Sequence, residues 1–407
     1  MSHFNASNGT SPKARVAVVA AGIVSPLGSG LQETRQALRK GTDCVTGVSL
    51  FDVGKCRCQT AAQIPNDRLR SGQNGRKSAR LHRASHMMIS AAGELFESDP
   101  KFKPEVTVIG TTSGGMSFGE DYYRAVLEHK KLRRSPEWLA NYPPQKPVLD
   151  AQNAFGISAP CFIIANACAS GTNAIGRAFE WVRSGKYQRV LTGGYDALSQ
   201  LVFVGFDSLQ AATSEKCRPF DRDRSGMVLG EGAAVIALEN FESAQKRKAN
   251  ILGEIIGYGI STDNHHLTQP DPSGSGPKRA MEQALQSAGC GPAQVDYINA
   301  HGTATPFNDA AEGKAILEMF GNVPVSSTKS MIGHSLGAAG AIEAVFCLLA
   351  LQSQFLPPNI NFRTADGNVA LNIVANDSRD ANIDIALSNS FGFGGTNASV
   401  LIRKAAA

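Results

Sequence analysis

The chain has 407 residues, of which 42% are hydrophobic and 18% are charged, so it can bury a sizeable core, and this composition excludes wholesale disorder. Its formal net charge of +5 is too small to indicate nucleic-acid binding by itself, and it fits an acidic protein partner at least as well. We therefore predict a globular protein with one large two-lobed domain or two fused domains.

The eight cysteines lack the regular spacing of a disulfide framework, which indicates reduced thiols in a cytosol. Cys56 and Cys58 have no second pair or histidine cluster beside them, so we expect no metal there. Residues 1–13 lack the apolar core of a signal peptide, and the longest apolar helical run, residues 341–351, contains Glu343 and is too short to cross a bilayer. These features predict a cytoplasmic protein that binds neither membrane nor nucleic acid.

After a flexible tail at residues 1–13, short apolar strands alternate with helical patterns along the chain. In the first half, strands are predicted at residues 15–20, 106–110, 161–165 and 189–192, and helices at residues 31–40 and 170–184. The second half repeats this order, with strands at residues 251–256, 295–299 and 323–327 and helices at residues 278–288, 310–319 and 334–351. The alternation predicts an α/β protein with buried sheets.

Each half contains a strand that leads into a helix rich in small residues, ACASGTNAIGRAF in one half and GHSLGAAGAIEAVF in the other. Small side chains allow a helix to pack closely against other backbone. The repetition predicts two similar halves, residues 14–255 and residues 256–407, which share one core because no linker or low-complexity segment separates them.

Cys168 stands between a predicted strand and a helix that begins with small residues. A thiol at a helix N-terminus lies at the positive end of the helix dipole, which favours the thiolate, although a buried structural cysteine gives a similar pattern. His301 in NAHGTATP and His334 in MIGHSLG also stand at strand-to-helix junctions, where the sites of α/β proteins form. Together the three residues favour nucleophilic catalysis over three separate structural roles.

A hydrolase is the first alternative, because residues 333–337 read G-H-S-L-G and match a nucleophile elbow centred on Ser335. That fold needs a histidine after the serine, and His334 is the last histidine of the chain, so an esterase would lack its general base. The C-terminal FGFGGTN lacks the spacing of a dinucleotide-binding loop, and we interpret it as a turn that brings backbone close to a substrate.

Four motifs in this order resemble those of the β-ketoacyl synthases of the thiolase superfamily: NACASGTNA around Cys168, NAHGTATPFND around His301, SSTKSMIGHSLGAAGAIEA, and SFGFGGTNAS at residues 390–399. The resemblance extends from about residue 16 to residue 402. It implies a thiolase-like five-layered αβαβα fold built from two similar halves. It also implies a stand-alone enzyme that joins an acyl group on Cys168 to a malonyl unit with loss of carbon dioxide.

The same resemblance implies roles for individual residues. Cys168 would carry the acyl thioester, and its backbone N–H would form an oxyanion hole with that of Phe393. His301 and His334 would promote decarboxylation of the malonyl thioester. Lys329 would orient the site, with Glu343 as its ionic partner and Glu312 in a further supporting role. Substrate-binding positions are expected at Thr303, Thr305, Phe391, Phe393, Ser113, Phe206 and Met227.

The resemblance further implies that no metal takes part and that no cofactor is bound permanently, because the substrates arrive on the phosphopantetheine of an acyl carrier protein. Three departures from the family pattern leave the acyl chain undetermined: Met227 replaces a common phenylalanine, Ser113 replaces an apolar residue or glycine, and Asn166 precedes Ala167 where threonine is commoner. They favour polyene or polyketide assembly over housekeeping fatty-acid elongation.

An acidic acyl carrier protein is the expected partner, and a homodimer is expected, with a heterodimer containing a chain-length-factor-like subunit as the open alternative. A subunit that only sets chain length would lack the nucleophile, and a degradative thiolase would carry a second cysteine near the C-terminus, whereas the C-terminal loop has none. Basic residues cluster at residues 68–83 and 130–134. Such runs are usually solvated faces, but we expect the acidic carrier to dock at Arg68, Arg76, Lys77, Arg80, Lys130, Lys131 or Arg134.

Overall fold

A computed structural model gives the fold and describes residues 14–70, 81–129, 139–367 and 369–405. The predicted tail at residues 1–13 lies outside the described residues. The strands are β1 (Val16–Ser25), β2 (Gly28–Ser29), β3 (Val45–Gly47), β4 (Thr60–Ala62), β5 (Val106–Gly110), β6 (Cys161–Ile164), β7 (Arg189–Asp196), β8 (Leu229–Gly230), β9 (Gly232–Asn240), β10 (Gly253–Thr262), β11 (Tyr297–Asn299), β12 (Pro324–Ser326), β13 (Phe355–Leu356), β14 (Asn372–Ile373), β15 (Arg379–Asp380), β16 (Ile385–Gly392) and β17 (Thr396–Lys404).

The helices are α1 (Leu31–Lys40), α2 (Arg83–Ser98), α3 (Met116–Leu127), α4 (Lys146–Ala154), α5 (Ser170–Arg183), α6 (Gln200–Ser208), α7 (Phe241–Lys246), α8 (Ser275–Ala288), α9 (Pro306–Phe320), α10 (Lys329–Ile332) and α11 (Ala339–Ser353). Short 3-10 helices occupy Asn66–Arg68, Pro292–Gln294 and Leu336–Ala338.

The two halves of the chain build sheets of the same topology. The first half has the strand order β1-β9-β7-β5-β6, and the second half has β10-β17-β16-β11-β12, with β14 added at its edge. In both sheets the first three strands are antiparallel to their neighbours and the last three run parallel. A short antiparallel pairing of β1 with β10 joins the two sheets. The predicted duplication is therefore present in strand order and direction.

Helices α5 and α11 lie between the sheets, because each of them contacts strands of both halves. Helices α2 and α4 cover the outer face of the first sheet, and α8 and α9 cover that of the second. The central helices approach each other closely: a β-carbon at Gly340 would lie 1.9 Å from the Thr172 hydroxyl, and one at Gly171 would lie 2.8 Å from the Gly337 carbonyl. The result is the five-layered αβαβα fold, and the small residues of both helices permit it.

Among the described residues, the segment Leu336–Ser353 is long and apolar enough to cross a membrane, but 89% of it is buried inside the fold. The prediction that the apolar run is too short to span a bilayer is wrong, because a 3-10 turn extends it at its N-terminus. Its position between two sheets explains why it is apolar on all sides.

The structure also corrects the boundaries around His334. A single helix was predicted over residues 334–351, whereas the chain forms α10, passes through His334, makes the 3-10 turn and only then begins α11. His334 itself is held by the short strand β8, since its N–H donates to the Val228 carbonyl and its carbonyl accepts from the Gly230 N–H. The predicted division at residue 255 falls within β10, which begins at Gly253.

Candidate active site

Cys168 lies in the turn between β6 and α5, two residues before the helix begins, and it is 5% exposed. The turn is tight, because the Ser170 hydroxyl accepts from the Asn166 N–H and donates to the Ala167 carbonyl. Ala167 adopts a φ of 56°, in the left-handed region that residues with a β-carbon seldom occupy. The backbone therefore aims Cys168 away from the axis of α5 and into an internal cavity.

The C-terminal glycine-rich loop approaches Cys168 from the second half. A β-carbon at Gly392 would lie 3.0 Å from the backbone nitrogen of Cys168, so a larger residue would push the two backbones apart by a few tenths of an ångström. The approach allows the Phe393 N–H to donate to the Cys168 sulfur, which also accepts from its own backbone N–H. The two N–H groups that were predicted to form the oxyanion hole thus converge on one atom.

His301 follows β11 and His334 follows α10, and both imidazoles are 1% exposed. Their ring centroids are 5.2 Å apart, with the ring planes at 86°. Reactive atoms of Cys168, His301 and His334 all lie within 4.8 Å of one another. The two sequence motifs that contain the histidines are therefore brought to the nucleophile from separate loops.

The imidazoles have free hydrogen-bonding capacity. Both ring nitrogens of His334 and Nδ1 of His301 are buried and have no partner among the described residues. Buried polar groups are normally paired, and unpaired ones mark a position where a ligand or water belongs. Glu312 orients the His301 turn by accepting the His301 and Gly302 N–H groups, each at 2.8 Å.

Burial dominates the protonation of all three residues. It raises the pKa of the Cys168 thiol to about 11, although the Lys329 charge and the Phe393 N–H act in the opposite direction. Burial, followed by the Lys329 charge, holds the pKa of His301 and His334 well below the usual range. At neutral pH the empty site therefore contains a thiol and two neutral imidazoles. The prediction of a thiolate from the helix dipole is wrong for this state, because desolvation is the larger effect.

Lys329 and Glu343 form a buried ion pair behind the site. The Lys329 Nζ atom lies 2.5 Å from Glu343 Oε1, and both side chains are 1% exposed. Burial raises the pKa of Glu343 to about 7, and the Lys329 charge opposes this rise. Burial lowers the pKa of both histidines most and the Lys329 charge lowers it further, so both rings stay neutral and can donate one N–H each.

The cavity has a volume of about 240 Å³. Its wall contains Cys168 and both histidines, together with five of the predicted substrate-binding residues, namely Thr303, Thr305, Met227, Phe391 and Phe393. The Thr303 and Thr305 hydroxyls are 2.9 Å apart.

Comparison with known proteins decides the family. The "Beta-ketoacyl synthase, N-terminal domain" matches residues 13–244, and the "Beta-ketoacyl synthase, C-terminal domain" matches residues 252–363. The chain belongs to the β-ketoacyl synthase family. The synthase is 36% identical to the 3-oxoacyl-[acyl-carrier-protein] synthase 2 of Synechocystis sp., with 96% of this chain and 98% of the relative covered.

Solved structures share the fold of the synthase. The ishigamide ketosynthase/chain length factor matches with a TM-score of 0.90 at 30% identity, covering 97% of this chain and 100% of the other. A type II PKS acyl-carrier protein in complex with its ketosynthase bound to the hexaketide matches with a TM-score of 0.85 at 26% identity, over 97% of this chain and 100% of that chain.

Two predicted substrate-binding residues of the synthase lie outside the wall of this cavity. The Phe206 ring packs on the Phe393 ring with centroids 5.5 Å apart, so Phe206, in α6, contacts the C-terminal glycine-rich loop. The Ser113 hydroxyl donates to the Asp196 carboxylate at 2.7 Å. The role predicted for Ser113 in limiting the acyl chain stays a prediction.

The cavity wall of the synthase also contains residues that the sequence did not indicate, namely Gln210, Asp263, Thr268, Gln269, Asn308 and Asn397. Asp263 and Asn397 are tied to each other, since the Asn397 amide donates to the Asp263 carboxylate at 2.6 Å. Asn308 belongs to NAHGTATPFND and Asn397 belongs to SFGFGGTNAS, so the sequence motifs could have indicated these two residues. No sequence motif marks the other four.

The structure also shows where the serine of the hydrolase alternative and one of the predicted docking residues lie. Ser335 of the hydrolase alternative is buried and is absent from the described wall of the cavity. Of the basic residues predicted to dock the carrier protein, Arg68 lies at the surface in an ion pair with Glu33 at 3.0 Å. The remainder lie outside the described residues: Arg76, Lys77, Arg80, Lys130, Lys131 and Arg134.

Proposed function

We propose that the synthase takes an acyl group from an acyl carrier protein onto Cys168 and condenses it with malonyl-acyl carrier protein, releasing carbon dioxide and a β-ketoacyl-acyl carrier protein. One observation carries the proposal: a thiol and two neutral imidazoles with unpaired ring nitrogens, all three of them buried, meet within 4.8 Å. This set provides a nucleophile and two hydrogen-bond donors for an enolate.

In the acyl-transfer step, the Cys168 sulfur attacks the carbonyl carbon of the acyl thioester, and the phosphopantetheine sulfur leaves. The thiol proton of Cys168 ends on the departing sulfur, so charge is conserved. The oxyanion of the tetrahedral intermediate accepts the N–H groups of Cys168 and Phe393, which already converge on the sulfur. A thiol suits this exchange because sulfur is both a good nucleophile and a good leaving group.

In the second step, the carbon–carbon bond to the malonyl carboxylate breaks, and its electron pair forms an enolate whose oxygen accepts one N–H from His301 and one from His334. The enolate carbon then attacks the acyl carbonyl, and the Cys168 thiolate leaves and is reprotonated by solvent. Neutral imidazoles suit this task, since the low pKa of both rings keeps one N–H on each without adding a proton donor that would quench the enolate.

Thr303 and Thr305 line the same cavity and can hydrogen-bond the amides of the phosphopantetheine arm. Met227 is flexible and fills the wall where a rigid ring is commoner in the family. We propose an acyl chain of the polyene or polyketide type on this basis, with fatty-acid elongation as the alternative. Profiling the products formed from carrier-bound primers of increasing length and unsaturation distinguishes the two.

The proposal of a partner subunit rests on apolar side chains and a strand edge that are exposed at the surface. Large apolar side chains are exposed along α3 and α6, including Tyr123, Leu127, Leu201 and Val204. In the described part of the chain, β6 is the last strand of its sheet, and its Phe162 is 48% exposed. Exposed apolar faces and open strand edges mark interfaces. We propose that a second synthase subunit, identical or of the chain-length-factor type, covers this face. Light scattering of the pure protein separates the two cases.

We further propose that the halves at residues 14–255 and 256–407 function as one unit in the cytoplasm, without a metal. Cys168, His301 and His334 are close enough for three ligands of one ion, so the metal-free mechanism needs its own test. Full activity after dialysis against a chelator, with no zinc detected by mass spectrometry, supports it; loss of activity that zinc restores contradicts it.

The proposed function is tested with purified protein, an acyl carrier protein bearing a primer, and malonyl-acyl carrier protein. We expect equimolar carbon dioxide and β-ketoacyl product. Thiolysis of a β-ketoacyl-coenzyme A without carbon dioxide release would indicate a thiolase, and no reaction in the absence of another subunit, with reaction in its presence, would indicate an obligate heterodimer.

A further inference from the structure

Asp196 ends β7 next to the active site and is fully buried, yet the mechanism above does not use it. Its carboxylate accepts hydrogen bonds from both halves of the protein. Oδ1 accepts from the Thr111 hydroxyl at 2.8 Å and from the Ser113 N–H and hydroxyl at 2.8 and 2.7 Å. Oδ2 accepts from the Thr112 N–H at 2.8 Å and the Gly337 N–H at 2.6 Å.

The donors of Asp196 belong to the loop after β5, residues 111–113, and to the turn that carries His334. Gly337 lies three residues after His334, and a β-carbon there would lie 2.8 Å from Asp196 Oδ2 and 2.6 Å from the Thr112 nitrogen. Thr112 in turn donates its hydroxyl to the carbonyl of Ala167, the residue before Cys168, at 3.1 Å. One carboxylate therefore connects the His334 turn to the Cys168 turn.

Both turns are conformationally strained and need such a support. Leu336, between His334 and Gly337, has a φ of 53°, and Ala167 has a φ of 56°. Left-handed conformations of residues with a β-carbon persist only where the surroundings fix them. Burial raises the pKa of the Asp196 carboxyl, and the hydrogen bonds from Ser113, Thr112 and Thr111 oppose this rise. An ionised carboxylate can accept from all five donors.

We infer that Asp196 is a positioning residue that sets the distance between Cys168 and His334, because its carboxylate holds the His334 turn directly and the Cys168 turn through Thr112. The inference rests on the proposed function and extends it to a residue outside the reactive cluster. The charge of Asp196 also acts on Cys168: burial is the main cause that raises the pKa of the Cys168 thiol, and the Asp196 charge adds to this rise.

These two effects predict opposite changes in the two half-reactions of Asp196→Asn. An amide cannot accept on both sides, so at least one backbone N–H loses its partner, the His334 turn shifts, and decarboxylation of malonyl-acyl carrier protein falls by about 10–100-fold. Loss of the charge lowers the pKa of Cys168, so its alkylation by iodoacetamide at pH 7 becomes faster, about tenfold for each unit by which the pKa falls. Misfolding would expose the buried Cys168 and also accelerate its alkylation, so the comparison applies only to a variant that circular dichroism shows to be folded and whose buried Cys347 stays unmodified.

The experiment measures carbon dioxide release without a primer and the pH dependence of Cys168 alkylation in the wild type, Asp196→Asn, and the exposed control Asp377→Asn, which should behave as wild type. Thr111→Val is the fourth variant, since it removes one donor and leaves the charge and the side-chain shape. We expect it to slow decarboxylation a few-fold without accelerating alkylation. It also keeps the test decisive if Asp196→Asn does not fold.

Slower decarboxylation with faster alkylation of Cys168, in a folded Asp196→Asn variant that leaves Cys347 unmodified, supports the inference. Wild-type decarboxylation in Asp196→Asn, or in Thr111→Val if the first variant is unfolded, overturns it, as does parallel slowing of both reactions in a folded Asp196→Asn. A wild-type enzyme that releases no carbon dioxide refutes the proposed function instead, and the alkylation profiles still report on the charge of Asp196.

Discussion

The turn that carries Cys168 follows β6 and the turn that carries His334 follows β12, the equivalent strand of the second half, but the two turns are built differently. The first turn passes from β6 to α5 within five residues and presents a sulfur atom. The second takes twelve residues from β12 to α11, and it inserts α10 and a 3-10 turn. The longer route gives space for the buried Lys329 beside His334.

This difference teaches how one repeated architecture can supply two kinds of chemistry. Both turns end at small-residue helices that pack against each other, so the duplicated fold brings the turns together. In the proposed function the short turn holds the nucleophile, and the long turn holds a hydrogen-bond donor whose pKa is lowered by burial and then by the Lys329 charge. We therefore expect changes in the two turns to affect different half-reactions.

The largest expected effect follows removal of the sulfur. Cys168→Ala should abolish formation of the β-ketoacyl product, because no acyl-enzyme can form, whereas Cys290→Ala, a partly buried cysteine away from the cavity, should retain wild-type activity. Product is measured by mass spectrometry of the carrier protein. Recovery of an acyl adduct on a different cysteine, with Cys168 unmodified, would show that the nucleophile was misassigned.

The ion pair of the longer turn should dominate stability. Lys329→Met leaves the Glu343 carboxylate buried without its cation, and we expect a loss of about 3–5 kcal/mol in the free energy of unfolding at pH 8. The pKa of Glu343 is already about 7 and should rise further in the variant. At pH 6 the Glu343 carboxyl is then protonated and uncharged, so the loss of stability should be smaller at pH 6 than at pH 8.

Urea denaturation at both pH values measures this effect, and the double variant Lys329→Met/Glu343→Leu should recover most of the lost stability. An equal loss at pH 6 and pH 8 would contradict a charge effect and indicate lost packing instead.

Removing one donor from the longer turn should slow decarboxylation more than acylation. His334→Ala should lower the rate of carbon dioxide release by about 10²–10³-fold, the effect of one oxyanion-type donor, and His301→Ala should act similarly. The exposed His129→Ala serves as the control. Because the pKa of both imidazoles lies well below 6.5, the wild-type rate should not fall between pH 8 and pH 6.5. A fall over this range would contradict the account unless it follows the titration of Glu343 or Glu312, whose pKa values are raised to about 7 by burial.

The smallest expected effect lies outside both turns. Arg68→Glu should raise KM for carrier-bound substrates by about two- to fivefold and leave a small thioester mimic unaffected, because a surface charge contributes little beyond steering. Arg222→Glu, at a site 62% exposed, is the matched control. Equal changes with both kinds of substrate would argue against docking at Arg68.

Much of the fold and the site could be predicted because local signals were strong. The strand-to-helix repeats predicted two similar halves, and four motifs indicated Cys168, His301, His334 and Lys329, which the structure brings together. Helix α2 was not predicted, although its buried Met87, Ala91 and Leu95 recur every four residues, as an amphipathic helix requires.

Other features depend on contacts between distant parts of the chain. The donors of Asp196 come from residues 111–113 and from Gly337, and no local pattern links them. The protonation of Cys168 also differed from the prediction, because the helix dipole can be read from the sequence but the extent of burial cannot.

The division of labour between the two turns is tested most directly by following labelled acyl-enzyme and labelled carbon dioxide separately in Cys168→Ala and His334→Ala. We predict that Cys168→Ala forms no acyl-enzyme but still releases carbon dioxide, and that His334→Ala acylates readily while its carbon dioxide release falls by about 10²–10³-fold. If His334→Ala instead releases carbon dioxide at the wild-type rate and fails to acylate, the histidine is a base for Cys168 and the two turns do not divide the half-reactions between them.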